Sequence, residues 1–73
     1  MSVDRLKLAA RLVKQEFARR GIYHETDEIC DALLIAGGGR ISNAIVVGAT
    51  AEFCPGERCR LLALLSQMKG RVA

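Results

Sequence analysis

Three consecutive glycines, Gly37 to Gly39 in the stretch ALLIAGGGRIS, constrain this chain more than any other feature. Neither a helix nor a strand runs easily through three residues without a Cβ, because glycine loses the most backbone freedom on ordering. The segment is a boundary, and the fold depends on what it separates. Either a buried strand over Ala32 to Ala36 enters a glycine turn, or one helix stops here and another begins.

The residues before the glycines favour a helix. Thr26 is placed as an N-cap, and Asp27 and Glu28 follow it, where the helix dipole favours carboxylates. Ile29, Leu33 and Ala36 recur at helical spacing with Cys30 and Leu34 alongside. A helix over about 27–36 is expected. The N-terminal segment carries similar punctuation. Ser2 is placed to cap, Asp4 sits in the first turn, Arg19 and Arg20 in the last, and Gly21 supplies a left-handed stop with Ile22 beyond it to pack back. A helix over about 3–20 puts Leu6, Ala10, Val13 and Phe17 on one stripe and gathers Lys7, Arg11 and Lys14 elsewhere. Leu8 and Leu12, four apart, form a second apolar ridge away from that stripe and suit contact with another chain.

After the glycines the signals conflict. Ile45, Val46 and Val47 are β-branched, and Gly48 weakens a helix interior by roughly 1 kcal/mol against Ala. Ala44, Ala49 and Ala51 favour a helix, and Ser42 or Asn43 can cap one. A helix over about 43–53 is expected, with a strand as the alternative. As a helix it is apolar on nearly every side and belongs at the centre of the fold. Pro55 then suits the first turn of a last helix, over about 56–69, with Cys54 at the cap and Gly70 as the stop. Its residues Leu61, Leu62, Leu64, Leu65 and Met68 form a stripe broader than one neighbouring helix would cover, and are assigned to a dimer interface.

These elements predict an all-α, compact bundle of four short helices in a single domain over residues 1–73. Size favours a dimer. A chain of 73 residues buries only roughly 60% of its unfolded surface, yet 51% of these residues are hydrophobic and the mean hydropathy is +0.19. The excess should be covered by a second chain, a homodimer first of all. No apolar run reaches the ~18 residues of a membrane span and the N-terminus is charged throughout, so no membrane association is expected. Three cysteines cannot all pair internally, which together with the charged start points to the cytoplasm.

Charge is distributed as plus, minus, plus. Six basic and two acidic residues fall in positions 1–20; Glu25, Asp27, Glu28 and Asp31 follow without a Lys or Arg; four basic and one acidic residue close the chain. The blocks either complement one another within the fold or present a cationic face to an acidic partner.

Chemistry finds little footing. The spacing Gly37-x-Gly39-x-x-Ser42 resembles the dinucleotide-binding fingerprint with Ser for its third glycine. That resemblance implies a second parallel strand and an acidic ribose ligand about twenty residues on. Only Glu57 stands near that distance, in a segment read as helix, so no cofactor is expected. His24, Cys30, Cys54 and Cys59 number enough for a closed zinc site, but a fold would have to gather them, and no metal is assigned. Catalysis needs a paired acid and base or an activated nucleophile. With one histidine, and acidic residues explained by capping, no enzyme is expected. A helix-turn-helix could use residues 27–36 and 43–53, but its reader would offer only Asn43, Thr50 and Glu52 to bases. Lys7, Arg11 and Lys14 make a better phosphate footprint, so DNA binding is the alternative. The expected function is non-catalytic regulation by protein binding as a homodimer, an adaptor, inhibitor or antirepressor. Its partner contacts are Leu8 and Leu12 with Lys7, Arg11 and Lys14.

Overall fold

The glycines end a helix. A computed structural model describes the backbone of residues 2–72 and the surroundings of side chains 3–68, and its elements are α1 (Ser2–Ala18), α2 (Thr26–Ala36), α3 (Ile41–Phe53) and α4 (Pro55–Val72), with no strand among the described residues. Each glycine stop closes in the same way. At the end of α1 the Ile22 amide donates to the Phe17 carbonyl and the Gly21 amide to Ala18, both at 3.0 Å, with Gly21 at φ +76°. At the end of α2 the Gly39 amide donates to Leu34 at 2.7 Å and the Gly38 amide to Ile35 at 3.1 Å, with Gly38 at φ +70°. This is the Schellman pattern, which satisfies carbonyls that a helix end would otherwise leave unpaired.

Gly37 has a different reason to be glycine. Its φ is an ordinary −86°, but a Cβ there would lie 2.6 Å from the Ala44 amide nitrogen and 3.0 Å from the Asn43 carbonyl carbon. The start of α3 folds back onto the end of α2, and the two axes turn through 109°. The Asn43 side chain tightens the corner by donating through Nδ2 to the Gly37 carbonyl at 3.4 Å.

Several boundaries differ from expectation. Helix α1 stops at Ala18 because its Schellman turn uses the next three residues, and the capping Ser2 side chain lies outside the described ones. Glu25, not Thr26, occupies the N-cap of α2, where the Glu28 carboxylate accepts its amide at 3.4 Å. Helix α3 starts two residues early, capped by the Arg40 backbone rather than by Ser42 or Asn43, because the apolar Ile41 packs against the core. Cys54 does precede α4 as a cap, its carbonyl accepting the Arg58 amide at 3.2 Å. Gly70 does not stop that helix, which continues to Val72.

The core is built from the expected stripe of α1, Leu6, Ala10, Val13 and Phe17, with Ile29, Ala32 and Leu33 of α2, Ala44 and Ala51 of α3, and Leu61 and Leu65 of α4. Helix α3 packs against each of the other three. It is not buried all round, however: the residues it hides are small, Ala44, Gly48 and Ala51, whereas Val46 and Phe53 are 63% and 80% exposed. A Cβ on Gly48 would stand 3.3 Å from the Ala9 Cβ and 3.5 Å from Leu33, so α1 and α3 cross at a distance set by their smallest residues. Among the described residues no single helix is long and apolar enough to cross a membrane.

Candidate functional site

That close crossing shapes the surface above it. Because Ala9 and Gly48 fill so little space, the larger side chains flanking them stand up as walls, and an open groove of about 230 Å³ runs between α1 and α3. Leu8, Ala9 and Leu12 line one side and Ile45, Gly48 and Ala49 the other, with Arg5 and Glu52 as the charged members. Leu8 is 57% and Leu12 43% exposed, so the ridge read from sequence does face outward. Helical spacing sets Val46 and Phe53 in one row with Ala49, extending the apolar strip along α3. A second, more polar depression continues from the first and is lined by Leu12, Gln15, Glu16, Arg19, Glu52 and Phe53.

The order of these residues fixes a direction. Ala9 meets Gly48, and the later residues of α1 share the second depression with the later residues of α3, so the helices run in the same sense along the groove. Arg5 therefore lies one turn before the crossing and Glu52 one turn after it. Neither side chain has an ion-pair partner among the described residues.

Beyond the groove lies the main polar junction. Glu16 accepts Nη1 of Arg20 at 2.7 Å, of Arg19 at 3.2 Å and of Arg58 at 3.4 Å. The Arg20 hydrogen bond holds its carboxyl below the ordinary carboxylate range, with Arg19 and Arg58 adding to the effect against partial desolvation. Arg58 also donates to the Glu52 carbonyl at 3.3 Å, neutralising the C-terminal end of α3 while tying α4 to α1. Part of the charge alternation is thus internal complementation. Lys7, Arg11 and Lys14 take no part in it; Lys7 and Arg11 are exposed, Lys14 is half-buried, and none forms an ion pair among the described residues.

The remaining sequence candidates fall elsewhere. Leu61 and Leu65 are each 1% exposed within the chain, and Leu62, Leu64 and Met68 pack half-buried on the same core. The stripe on α4 is broad because it meets two neighbours, α2 and α3. His24, Cys30, Cys54 and Cys59 are not gathered, and no group of three or more such ligands occurs among the described residues. His24 is instead largely buried. Its side chain is 11% exposed, meets the Phe17 ring edge-on at 6.4 Å between centroids, and places Nδ1 3.5 Å from a Glu28 carboxylate oxygen without a hydrogen bond. Burial pushes the Cys30 thiol up, and Asp27 and Asp31 push it further, away from the thiolate that a nucleophile needs.

Sequence patterning located Leu8 and Leu12 but missed Arg5, Ile45, Ala49, Glu52 and Phe53. A usable signal was present: Ala44, Gly48 and Ala51 repeat at helical spacing, a small-residue row that marks the packed face of α3 and sends its large residues outward. Comparison with known families, curated proteins and solved structures gives no match.

Proposed function

We propose that the chain is a non-catalytic regulatory module that acts by binding protein, of the adaptor or inhibitor kind, through the face shared by α1 and α3. The observation that carries this reading is the groove itself: an apolar trough walled by exposed Leu8 and Leu12 on one side and half-buried Ile45 on the other, with an adjoining exposed Phe53 and a charge at either end. An exposed apolar patch rimmed by polar groups is the usual mark of a protein contact. Lys7 and Arg11, exposed on the same helix, lie outside the groove lining. Conversion of Leu8 and Leu12 together to Asp should abolish capture of protein, further copies of the chain included, from nuclease-treated lysate. The circular dichroism of the variant should be unchanged. Capture that survives this double change removes the reading.

A second reading, DNA binding, draws on one observation: α2 and α3 are joined by a short glycine turn at 109°, the geometry of a helix-turn-helix. In that arrangement α3 would offer Ser42, Asn43, Val46, Ala49 and Phe53 to the groove, a mostly apolar set with little to read bases. Contact would fall to phosphates through Arg40, Lys7 and Arg11. Association with duplex DNA that falls steeply between about 50 and 200 mM salt, and that is lost on changing Lys7 and Arg11 to Glu, would favour it over protein binding.

A further inference from the structure

Resting on the reading of the groove as a protein-binding face, we propose that its occupant is a second copy of this chain, docked antiparallel so that Arg5 of each copy meets Glu52 of the partner subunit. The charges at the two ends of the groove are opposite in sign and each lacks an ion-pair partner within the described protomer. They flank the Ala9–Gly48 crossing by one helical turn on either side. A two-fold axis lying in this face, perpendicular to the line from Arg5 to Glu52, exchanges the two positions and makes both contacts at once. Such an interface is isologous, closes on itself and needs no second patch elsewhere on the molecule. Between the charges it stacks Leu8, Leu12, Ile45 and Ala49 of one copy on the same residues of the other. This covers apolar surface that a 73-residue chain, 51% hydrophobic, leaves outside its own core. A foreign helix would be drawn by the same apolar floor, but it would have no inherent reason to carry the matching pair of charges at the matching separation.

The test is the mass of the full chain in solution by light scattering and sedimentation. The wild type should run at twice the 7.9 kDa chain mass. Arg5→Glu alone and Glu52→Arg alone each place like charges at both contacts and should raise the dimer Kd by at least about tenfold. An equimolar mixture of these two variants restores opposite charges at both contacts and should form a heterodimer that neither forms alone. Leu12→Asp, at an exposed position, should give folded monomers. A dimer indifferent to all three changes overturns the proposal and places the interface elsewhere, for example on α4. A wild type still monomeric at about 1 mM also overturns it. If that monomer captures a different protein through Leu8 and Leu12, self-pairing falls while protein binding stands; if it captures nothing, both fall.

Discussion

Helices α3 and α4 are both rich in apolar residues, and they dispose of them in opposite ways. Helix α4 turns Leu61 and Leu65 inward and lays Leu62, Leu64 and Met68 along the same core, so its large side chains hold the fold together. Helix α3 turns Ala44, Gly48 and Ala51 inward and leaves Val46 and Phe53 outside. One helix fills the centre of the core with bulk, whereas the other puts its smallest residues there to come close to α1, packs Ile41, Ile45 and Val47 half-buried beside them, and leaves Val46 and Phe53 outside. Hydrophobic content alone therefore does not say which helix buries its largest side chains and which shows them; side-chain size on the packed face does.

This contrast can be broken at graded points. The largest effect should follow from Leu61→Asp or Leu65→Asp, which bury an unpaired carboxylate; each should cost more than about 4 kcal/mol and abolish the cooperative melt. A soluble, folded protein carrying either change would show that α4 is not the cohesive helix. Phe17→Ala should cost about 3–5 kcal/mol in urea unfolding, whereas Phe53→Ala, the same chemical change on the outer face of α3, should leave protomer stability nearly untouched. Next comes the α2–α3 corner. Gly37→Ala meets backbone at 2.6 Å and should destabilise by about 2 kcal/mol or more. Gly38→Ala, with open space around its Cβ but φ at +70°, should cost only about 1 kcal/mol. Equal losses at the two glycines would show that conformation and not contact sets the corner.

A smaller effect belongs to Glu16. Its folded-state carboxyl titrates below the ordinary value of 4.5, so the stabilisation it brings is complete above that value and is lost as pH falls through the depressed one. The difference in thermal midpoint between wild type and Glu16→Gln should be constant near neutrality and shrink below about pH 4.5. A difference that persists unchanged into acid would mean that Arg20, Arg19 and Arg58 do not hold the ionised form. The smallest effect on the folded protomer is expected from Leu8→Asp, whose side chain is already largely in water. At concentrations where only monomer is present, its urea midpoint should match the wild type.

Much of the architecture was legible because the signals were local. Gly21 and Gly37 to Gly39 stop helices through hydrogen bonds that reach back only five residues, and the stripe from Leu6 to Phe17 needs only the period of a helix. What escaped depends on contacts between distant positions. With apolar groups on nearly every side, α3 carries no hydrophobic stripe, only the fainter row of small residues Ala44, Gly48 and Ala51, and the meeting of Gly48 with Ala9 fixes which side faces out. The stripe on α4 suggested a seam between chains because its breadth exceeds one neighbour; two neighbouring helices within the chain account for it. Arg58 looked like one more basic residue, and its link to Glu16 exists only once the fold brings the start of α4 within side-chain reach of the end of α1. For the candidate site, the ridge of Leu8 and Leu12 was readable, but the opposite wall required knowing how α3 is rotated.

The joint between α1 and α3 also bears on how this protein can change over generations. Since Ala9 and Gly48 carry the contact and the exposed groups at positions 8, 12, 46 and 53 carry little of the fold, substitutions there can reshape the outer surface without loosening the scaffold. Enlargement at position 9 or 48 would do the reverse, prising the two helices apart and erasing the trough whatever its rim displays.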